Sequence, residues 1–293
     1  MGRERIGIIG GSGLYEIEGL SGVERMSIRT PFGEPSDKLD IFELNGREVV
    51  FLSRHGRGHR ILPSEINAKA NIWAMKKLGV SRIISVSAVG SLKKEIQPLD
   101  IVLIDQFVDR TKRHGDTTFF GNGIVAHISF AEPIRSELSQ CLYEAGHDIG
   151  VGSQIHLGGI YLNIEGPAFS TRAESKLYRS WGMDVIGMTN LIEARLAREA
   201  EMCFSTLALV TDYDSWNEEE KAEDVTVEMV LENLKLNAET AQKIITAALP
   251  NIPEVRTCKC RDALKTAIVT PLHLVPELTI DKLNPILGKY NRK

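Results

Sequence analysis

The chain has 293 residues, 43% of them hydrophobic and 25% charged, which is typical of a globular protein with room for a large core. Its 35 Lys and Arg against 39 Asp and Glu give a net charge of −4, so no broad positive surface draws in nucleic acid and any anion site must be built locally. No apolar run approaches the roughly 20 residues of a membrane span, and the first residues lack the apolar core of a signal peptide. We expect a cytoplasmic protein without nucleic-acid or membrane partners.

The first predicted strand, residues 6–9, leads directly into Gly10-Gly11-Ser12-Gly13. Glycines let the backbone approach a ligand closely, and the Ser12 hydroxyl adds a donor. The pattern is not a dinucleotide fingerprint, because Glu16 stands where a third glycine is needed, and no Gly-Lys-Ser/Thr follows as in a P-loop. A phosphate cradle and a plain strand-to-loop turn both fit this segment.

A hairpin is predicted over residues 38–53, with Asn45-Gly46 at its turn. Directly after it, Arg54-His55-Gly56-Arg57-Gly58-His59-Arg60 places five basic or titratable side chains within seven residues. Arg54 offers a planar fork for phosphate oxygens and His55 a short donor. The segment therefore predicts the local anion site, and a solvated basic loop is the alternative.

Helices and buried strands then alternate, as in a parallel sheet covered by helices. A long polar loop, residues 110–127, interrupts them; loops of this length tend to be functional or to be held by a neighbour. We take its Phe119, Phe120 and His127 as subunit contacts. The predicted elements are a helix over 63–78, strands over 82–87 and 101–105, a helix from about 132 to 145, strands over 159–164 and 184–187, and a helix from about 190 to 202.

Phe169 follows Glu165-Gly166-Pro167 and precedes a helix that begins near Arg172. An aromatic side chain before a helix cap can be a core or staple residue, or it can stack on a base. Both interpretations remain open from the sequence.

The strand over residues 205–213 is apolar without alternation, as expected when both faces of a strand are buried in a parallel sheet. Ligands of such sheets bind at the carboxyl ends of the strands, where Asp212 and Asp214 lie. Side chains two residues apart on an extended backbone point to the same side. The pair predicts an acceptor-rich patch for a ligand that presents N–H groups, with a turn that ends the strand as the alternative.

A long amphipathic helix is predicted over residues 227–245, and beyond Pro250 the chain becomes basic and proline-punctuated. We expect a single α/β domain over residues 1–252, with a central mixed, largely parallel sheet flanked by helices. A C-terminal extension, residues 253–293, is expected to pack on this domain or on a neighbouring subunit. Cys258-Lys259-Cys260 lacks the spacing of a zinc knuckle, so we expect ordinary reduced thiols and no metal.

Taken together, these strand ends resemble the S-methyl-5′-thioadenosine phosphorylases of the trimeric purine nucleoside phosphorylase family. The resemblance runs from Ile6 to about Ile252. It implies a pentosyltransferase that cleaves methylthioadenosine with phosphate into adenine and 5-methylthioribose 1-phosphate, in purine and methionine salvage. It also implies a homotrimer, possibly paired into a hexamer, with phosphate as co-substrate and no cofactor. The motifs that carry it are Gly10-Gly11-Ser12-Gly13, Arg54-His55-Gly56-Arg57, Gly90-Ser91, Glu165-Gly166-Pro167, Met188-Thr189 and Thr211-Asp212-Tyr213-Asp214.

The resemblance also implies a role for each site residue. The nucleoside would lie against Phe169, Ser170 and Met188. Asp212 and Asp214 would act at the adenine edge, and His127 would reach a neighbouring subunit's pocket near the methylthio group. Ser12 and Ser87 stand where Thr is frequent in the family, and the hydroxyl is kept. Phosphate would be held by Ser12, Arg54, His55, Ser87, Ala88 and Thr189.

The same residue types account for the chemistry. Phosphate is the nucleophile, so neither a protein nucleophile nor a metal is required, and the purine leaves more easily when N7 receives a proton. A desolvated Asp212 beside Asp214 can hold that proton near neutral pH. The alternatives are a phosphorylase of 6-oxopurine nucleosides (inosine, guanosine or methylthioinosine), a nucleoside-binding module without turnover, and, more distantly, a dinucleotide-dependent reductase.

Overall fold

The fold is seen in a computed structural model that describes residues 4–14, 20, 22–112, 117–217 and 227–291. Its strands are β1 Arg5–Gly10, β2 Glu24–Met26, β3 Leu39–Leu44, β4 Arg47–Ser53, β5 Val80–Ser91, β6 Ile101–Leu103, β7 Gln106–Asp109, β8 Ile155–Leu157, β9 Ile160–Asn163, β10 Val185–Gly187 and β11 Cys203–Tyr213. Its helices are α1 Ala68–Lys77, α2 Ser136–Asp148, α3 Arg172–Ser180, α4 Asn190–Glu199, α5 Val227–Ala248, α6 Glu277–Lys282 and α7 Asn284–Leu287.

All these strands belong to one mixed sheet, in which β4, β1, β5 and β11 form a parallel centre. The antiparallel pairs are β2–β3, β3–β4, β5–β10 and β6–β11. Helices cover both faces, so the predicted α/β class with a largely parallel central sheet is confirmed. The hairpin predicted around Asn45-Gly46 is also present, as β3 and β4.

The central strand β5 is longer than predicted. The sequence indicated an end at Ser87, but the strand continues to Ser91 because β11 pairs with it from Arg82 to Ser91 and satisfies its backbone groups. On its opposite edge, β1 pairs only as far as Ser85, and β10 joins at Gly90 and Ser91. Between these two partners the sheet opens, and residues 86–89 of β5 form a strand edge that is unpaired on this side.

Two predicted helices begin later than expected. The segment after Pro63 forms a short 3₁₀ turn, Pro63–Glu65, and α1 starts after Asn67, whose side chain accepts a hydrogen bond from the Ala70 N–H at 3.1 Å. The start of α2 moves to Ser136, because Arg135 is extended and its N–H donates to the Phe204 carbonyl at 2.8 Å. Tertiary hydrogen bonds therefore set both boundaries.

The core lies on both faces of the sheet. One face is covered by α1, α4 and part of the C-terminal extension, and the other by α2 and α5. Phe119 and Phe120 are buried in the first of these layers, and the Phe119 N–H donates to Glu199 at 2.7 Å. Our expectation that these two rings are subunit contacts is therefore wrong, since they serve the core of their own chain.

The described part of the C-terminal extension packs on its own chain. Leu264, Leu283 and Leu287 are buried in the core, and the Trp73 Nε1–H donates to the Lys282 carbonyl at 3.0 Å. Within the described ranges, no helix is long and apolar enough to cross a membrane.

This packing predicts a large difference between two leucines of the extension. Leu287 is 0% exposed and Leu278 is 84% exposed. We expect Leu287→Ala to lower the free energy of unfolding by about 2–5 kcal/mol, because it leaves a cavity in the core, and the matched control Leu278→Ala to change it by less than about 0.5 kcal/mol. Urea denaturation measures both. Equal effects would show that the extension does not stabilise the domain.

Candidate active site

A cavity of about 460 Å³ opens beside β5, where the strand runs past the end of β1. The structure brings all but one of the predicted site residues to its wall, and the exception is His127. Further lining residues were not predicted, among them His59, Leu62, Pro63 and Leu234. The predicted residues on the wall are Ser12, Arg54, His55, Ser87, Ala88, Phe169, Ser170, Met188, Thr189, Asp212 and Asp214.

The innermost charge of the cavity wall is Arg54, which is 1% exposed and paired with Glu193 of α4. The Arg54 Nε donates to Glu193 Oε1 at 2.6 Å, and Nη2 donates to Oε2 at 2.8 Å. Arg54 Nη2 also donates to the Ser85 hydroxyl at 2.6 Å, and Nη1 donates to the Val86 carbonyl at 2.8 Å. This bidentate pair holds the guanidinium rigidly and neutralises its charge.

The Arg54 fork is therefore not open to phosphate. The sequence had indicated the opposite, a fork available for phosphate oxygens. A guanidinium has five N–H groups, and the contacts above occupy four of them, which leaves one on Nη1. A Cβ at Gly11 would lie 2.8 Å from that same Nη1, so only a glycine lets the loop after β1 approach Arg54 this closely. Arg54 can offer a ligand at most a single donor.

His55 is a neutral group at this site and not the cationic donor that we expected. Its Nδ1 lies 2.8 Å from the Ile61 carbonyl and therefore carries the proton that it donates there. Burial, together with the neighbouring Arg54 charge, lowers the pKa of His55 from 6.5 to about 4. At neutral pH the ring consequently presents its other nitrogen, Nε2, as an acceptor.

Neutral donors make up most of the remaining anion site. Thr189 precedes α4, so the positive end of that helix is directed at the cavity. Within the described residues the Thr189 side chain makes no capping bond to α4. Ser12 lies on the loop after β1, and Ser87 lies on the unpaired edge of β5 with its hydroxyl 3.2 Å from that of Tyr161. The arrangement suits one anion held by hydroxyl and backbone groups.

Asp212 lies near the end of β11, on the other side of the cavity. The pairing of β11 with β5 shifts register at Thr211, between Val210 and Asp212. The Thr211 hydroxyl donates to Asp212 Oδ2 at 2.5 Å, which leaves Oδ1 for a ligand. Burial, together with the neighbouring Asp214, raises the pKa of Asp212 from 3.8 to about 6. A carboxyl group with this pKa can exchange a proton near neutral pH.

Asp214 is also buried, and desolvation raises its pKa above the ordinary range. The Ser170 and Ser175 hydroxyls lie beside it. Within the described part of the chain, neither hydroxyl nor Asp214 Oδ2 completes a hydrogen bond of good geometry. Small rotations of these two hydroxyls can supply donors to Oδ2. Asp214 therefore adds a second carboxyl group beside Asp212 at the cavity wall.

The two acids can sit this deep because Gly90 faces them. A Cβ at Gly90 would lie 3.0 Å from Asp212 Oδ1 and 3.2 Å from the Asp214 Cβ. Any larger residue would push the carboxyl groups out of line. The predicted clustering of Asp212 and Asp214 at one mouth of the sheet is thus realised by a glycine on the neighbouring strand.

Phe169 lies at the mouth of the cavity and is 48% exposed, so it is a rim residue and not a core residue. Met188 lines the wall nearby. His127 is exposed away from the cavity, and its backbone N–H donates to the Ala267 carbonyl at 2.9 Å. Its predicted reach into a neighbouring subunit stays a prediction.

Glu193 is the important residue that the sequence analysis missed. It lies on α4 three residues after Asn190, whose side chain donates to Ser85 at 2.8 Å and accepts from Thr206 at 2.7 Å. The sequence signal that could have identified Glu193 is its spacing of three residues from Asn190 on an otherwise apolar helix face. Two polar residues on such a face indicate a buried hydrogen-bond network behind the site, which the strand-end motifs alone do not show.

Comparisons with known proteins agree with this geometry. Residues 5–250 match the phosphorylase superfamily. The chain is 55% identical over 285 residues to the S-methyl-5′-thioadenosine phosphorylase of Koribacter versatilis, covering 97% of this chain and 96% of that protein. It is similar to the crystal structure of a methylthioadenosine phosphorylase from an antarctic soil metagenomic library, with a TM-score of 0.91, 47% identity and coverage of 97% and 99%.

A second similar structure contains a nucleoside. The S12T mutant of the adenosine/methylthioadenosine phosphorylase of Schistosoma mansoni, in complex with methylthioadenosine, has a TM-score of 0.81 and 34% identity, with coverage of 90% of this chain and 96% of that chain. The fold and the cavity are those of a nucleoside phosphorylase, and the chain belongs to the phosphorylase superfamily. Within it, the chain is a member of the S-methyl-5′-thioadenosine phosphorylase family.

The Arg54–Glu193 pair predicts unequal effects of two substitutions on α4. In Glu193→Gln the buried Arg54 charge loses its partner, and we expect the free energy of unfolding to fall by about 3–5 kcal/mol. Glu199 is a matched control on the same helix. Burial raises its pKa to about 7, so it is already partly protonated at pH 7. In Gln the amide oxygen can still accept from the Phe119 N–H, and the amide N–H can donate to the Thr118 hydroxyl. Glu199→Gln should cost about 1 kcal/mol.

Urea denaturation at pH 7 compares the two variants. A loss in Glu193→Gln no larger than that in Glu199→Gln would contradict a charged, paired Arg54.

Proposed function

We propose that this protein cleaves the N-glycosidic bond of S-methyl-5′-thioadenosine with inorganic phosphate, giving adenine and 5-methylthioribose 1-phosphate. One observation carries the proposal: two buried carboxyl groups, Asp212 and Asp214, face a cavity whose other side offers donors for an anion. A purine presents N–H groups to the first wall, and phosphate accepts from the second. The names of the relatives support the same activity.

Phosphate is held between Ser12, the β5 edge at Ser87 and Ala88, and Thr189 at the start of α4, with one N–H from Arg54. The neutral His55 accepts from the hydroxyl of a monohydrogen phosphate. The donors align one phosphate oxygen with the ribose carbon that loses the base. Positioning of this kind removes much of the entropic cost of a two-substrate reaction.

Asp212 promotes departure of the base. As the bond breaks, negative charge develops on the purine, and a proton or a strong hydrogen bond at N7 stabilises it. With a pKa of about 6, Asp212 is about one-tenth protonated at pH 7 and can deliver the proton from Oδ1. Thr211 keeps the carboxyl group oriented from Oδ2. Phosphate and Asp212 thus act on opposite sides of the breaking bond.

Asp212 and Asp214 share the recognition of the base. Asp212 Oδ1 faces both N7 and the exocyclic amino group of adenine, and Asp214 accepts from the same amino group. A 6-oxopurine presents an acceptor at that position, opposite two carboxyl groups, so we expect it to bind less well. A binding module without turnover has no use for the donors opposite, and we set that alternative aside.

Two finer features belong to the proposal. We expect a homotrimer, possibly paired into a hexamer, because Phe169 leaves one side of the cavity open to a neighbouring subunit and His127 is available on the surface. We also expect the protein to act in the cytoplasm, to need no cofactor besides its co-substrate, and to hold no metal at this site.

The reaction type is tested by a nucleoside panel with and without phosphate. We expect adenine release from methylthioadenosine to depend strictly on phosphate. Arg54→Ala should raise the KM for phosphate by at least about tenfold and change the KM for the nucleoside much less, because Arg54 lies behind the anion site. Release at the same rate in phosphate-free buffer would identify a hydrolase and overturn the proposal.

The base specificity is tested at the two acids. Asp212→Asn replaces an exchangeable proton with a fixed amide, which can pair with an oxygen at position 6. We expect kcat/KM for methylthioadenosine to fall and the preference to shift toward methylthioinosine by about one to two decades, since a mismatched polar group costs roughly 1–3 kcal/mol. Asp214→Asn is the matched control, which should impair adenine substrates without an equal shift. An unchanged preference in Asp212→Asn would show that the base is recognised elsewhere.

A further inference from the structure

Three cysteines meet where the C-terminal extension crosses the start of β11. Cys203, Cys258 and Cys260 are all buried, and their sulfur atoms lie within 4.8 Å of one another. The Sγ atoms of Cys203 and Cys258 are 3.2 Å apart. The cluster is remote from the cavity, since Asp212 lies at the far end of β11, roughly 30 Å along an extended strand. The proposed reaction uses none of these thiols.

The spacing of the sulfur atoms matches what a metal–thiolate centre needs. A metal–sulfur bond of about 2.3 Å places neighbouring sulfur ligands roughly 3.8–4.0 Å apart in tetrahedral or trigonal geometry. One separation, 3.2 Å, is shorter than this value and the others are at most 4.8 Å, so small side-chain rotations would complete a three-sulfur site. Cys258 and Cys260 approach from one loop and Cys203 from the sheet, which gives the ligands independent anchors.

The surroundings are suited to a centre with excess negative charge. Three thiolates around a monovalent or divalent cation leave a net charge of −2 or −1. Arg256, Arg135 and Arg198 lie close enough to act on the cluster electrostatically. Their positive charges offset part of the negative charge of three sulfur ligands.

We propose that Cys203, Cys258 and Cys260 bind one soft d¹⁰ metal cation, Zn²⁺ or Cu⁺, which fastens the C-terminal extension to the central sheet. Buried thiolates select cations of this class over hard cations such as Mg²⁺. Cu⁺ is satisfied by three sulfur ligands, whereas Zn²⁺ takes a fourth ligand such as water. As each metal–sulfur bond forms, the thiol releases its proton to solvent, and no redox step is involved.

The test is an anaerobic titration of the reduced full-length protein with Zn²⁺ or Cu⁺ under buffered free-metal conditions. Elemental analysis should find one metal per chain, and the melting temperature should rise with occupancy because only the folded chain holds the site. Cys203→Ser should abolish stoichiometric binding. Cys141→Ser is the matched control, since Cys141 is half-buried and outside the cluster, and it should bind like the wild type.

A second measurement does not depend on any variant. Thiol alkylation of the wild type with and without metal, in mild denaturant so that the buried thiols become accessible, followed by peptide mass spectrometry, should show slower labelling of Cys203, Cys258 and Cys260 when metal is bound and unchanged labelling of Cys141. The ratio of zinc to copper affinity distinguishes the two cations. The proposal is overturned if no metal binds, if Cys203→Ser and Cys141→Ser bind equally, or if the isolated protein carries a disulfide between members of the cluster.

Discussion

The pairing of β5 with β11 is the constraint on which the site depends. β11 follows β5 to its last residue, whereas β1 leaves it at Ser85. The extra length of β5 is held on one edge and open on the other, and the cavity forms along the open edge. The same ladder places Asp212 opposite Gly90. A shorter β5 would remove the anion site and the base site together.

The two basic residues on the anion side of the site, Arg54 and His55, are neutralised before any ligand arrives. Arg54 is paired with Glu193, and His55 is neutral. Because both side chains are buried, an unpaired ion here would be costly, and hydroxyl groups and the α4 dipole hold the anion instead. Burial separately raises the pKa of Asp212 toward neutrality, so that it can exchange a proton with the departing base.

Holding that proton has a consequence for stability. The pKa of Asp212 is higher in the folded chain, at about 6, than its ordinary value of 3.8. The folded state therefore binds the proton more tightly than the unfolded chain, and stability falls as the pH rises from about 4 to 6, by up to roughly 3 kcal/mol. The remainder of the fold must supply this energy. The large two-layer core, which includes the C-terminal extension, provides it.

Much of this arrangement could be predicted from the sequence because it is local. Each local motif can be recognised within a few residues of sequence. Examples are glycine after a strand, Asn-Gly between two strands and Asp-x-Asp at the end of an apolar run. The missing parts are long-range. The sequence around Arg54 does not show that its guanidinium pairs with Glu193. The sequence around Phe119 does not show that its backbone N–H bonds to Glu199 of α4. The length of β5 likewise depends on β11, which lies more than a hundred residues later.

The cysteine cluster could not be predicted from the sequence for the same reason, because its members are far apart in the chain. Cys258-Lys259-Cys260 lacked a partner in its own neighbourhood, and the third thiol comes from the first residue of β11. The hydroxyl groups of Ser12 and Ser87 were evident from the sequence. Only the fold shows that Ser12 lies on the loop after β1 and Ser87 on the unpaired edge of β5, where both line the cavity.

The central claim is that Asp212 delivers a proton to the base, and its pH dependence tests this most directly. The measurement is kcat/KM for methylthioadenosine from pH 5 to 9 in the wild type and in Asp212→Asn, expressed as a ratio at each pH so that the ionisation of phosphate and of shared groups cancels. The account predicts a ratio that is constant below about pH 6 and falls tenfold per unit above it, as the carboxyl group loses its proton. A ratio that stays flat across the whole range would contradict it.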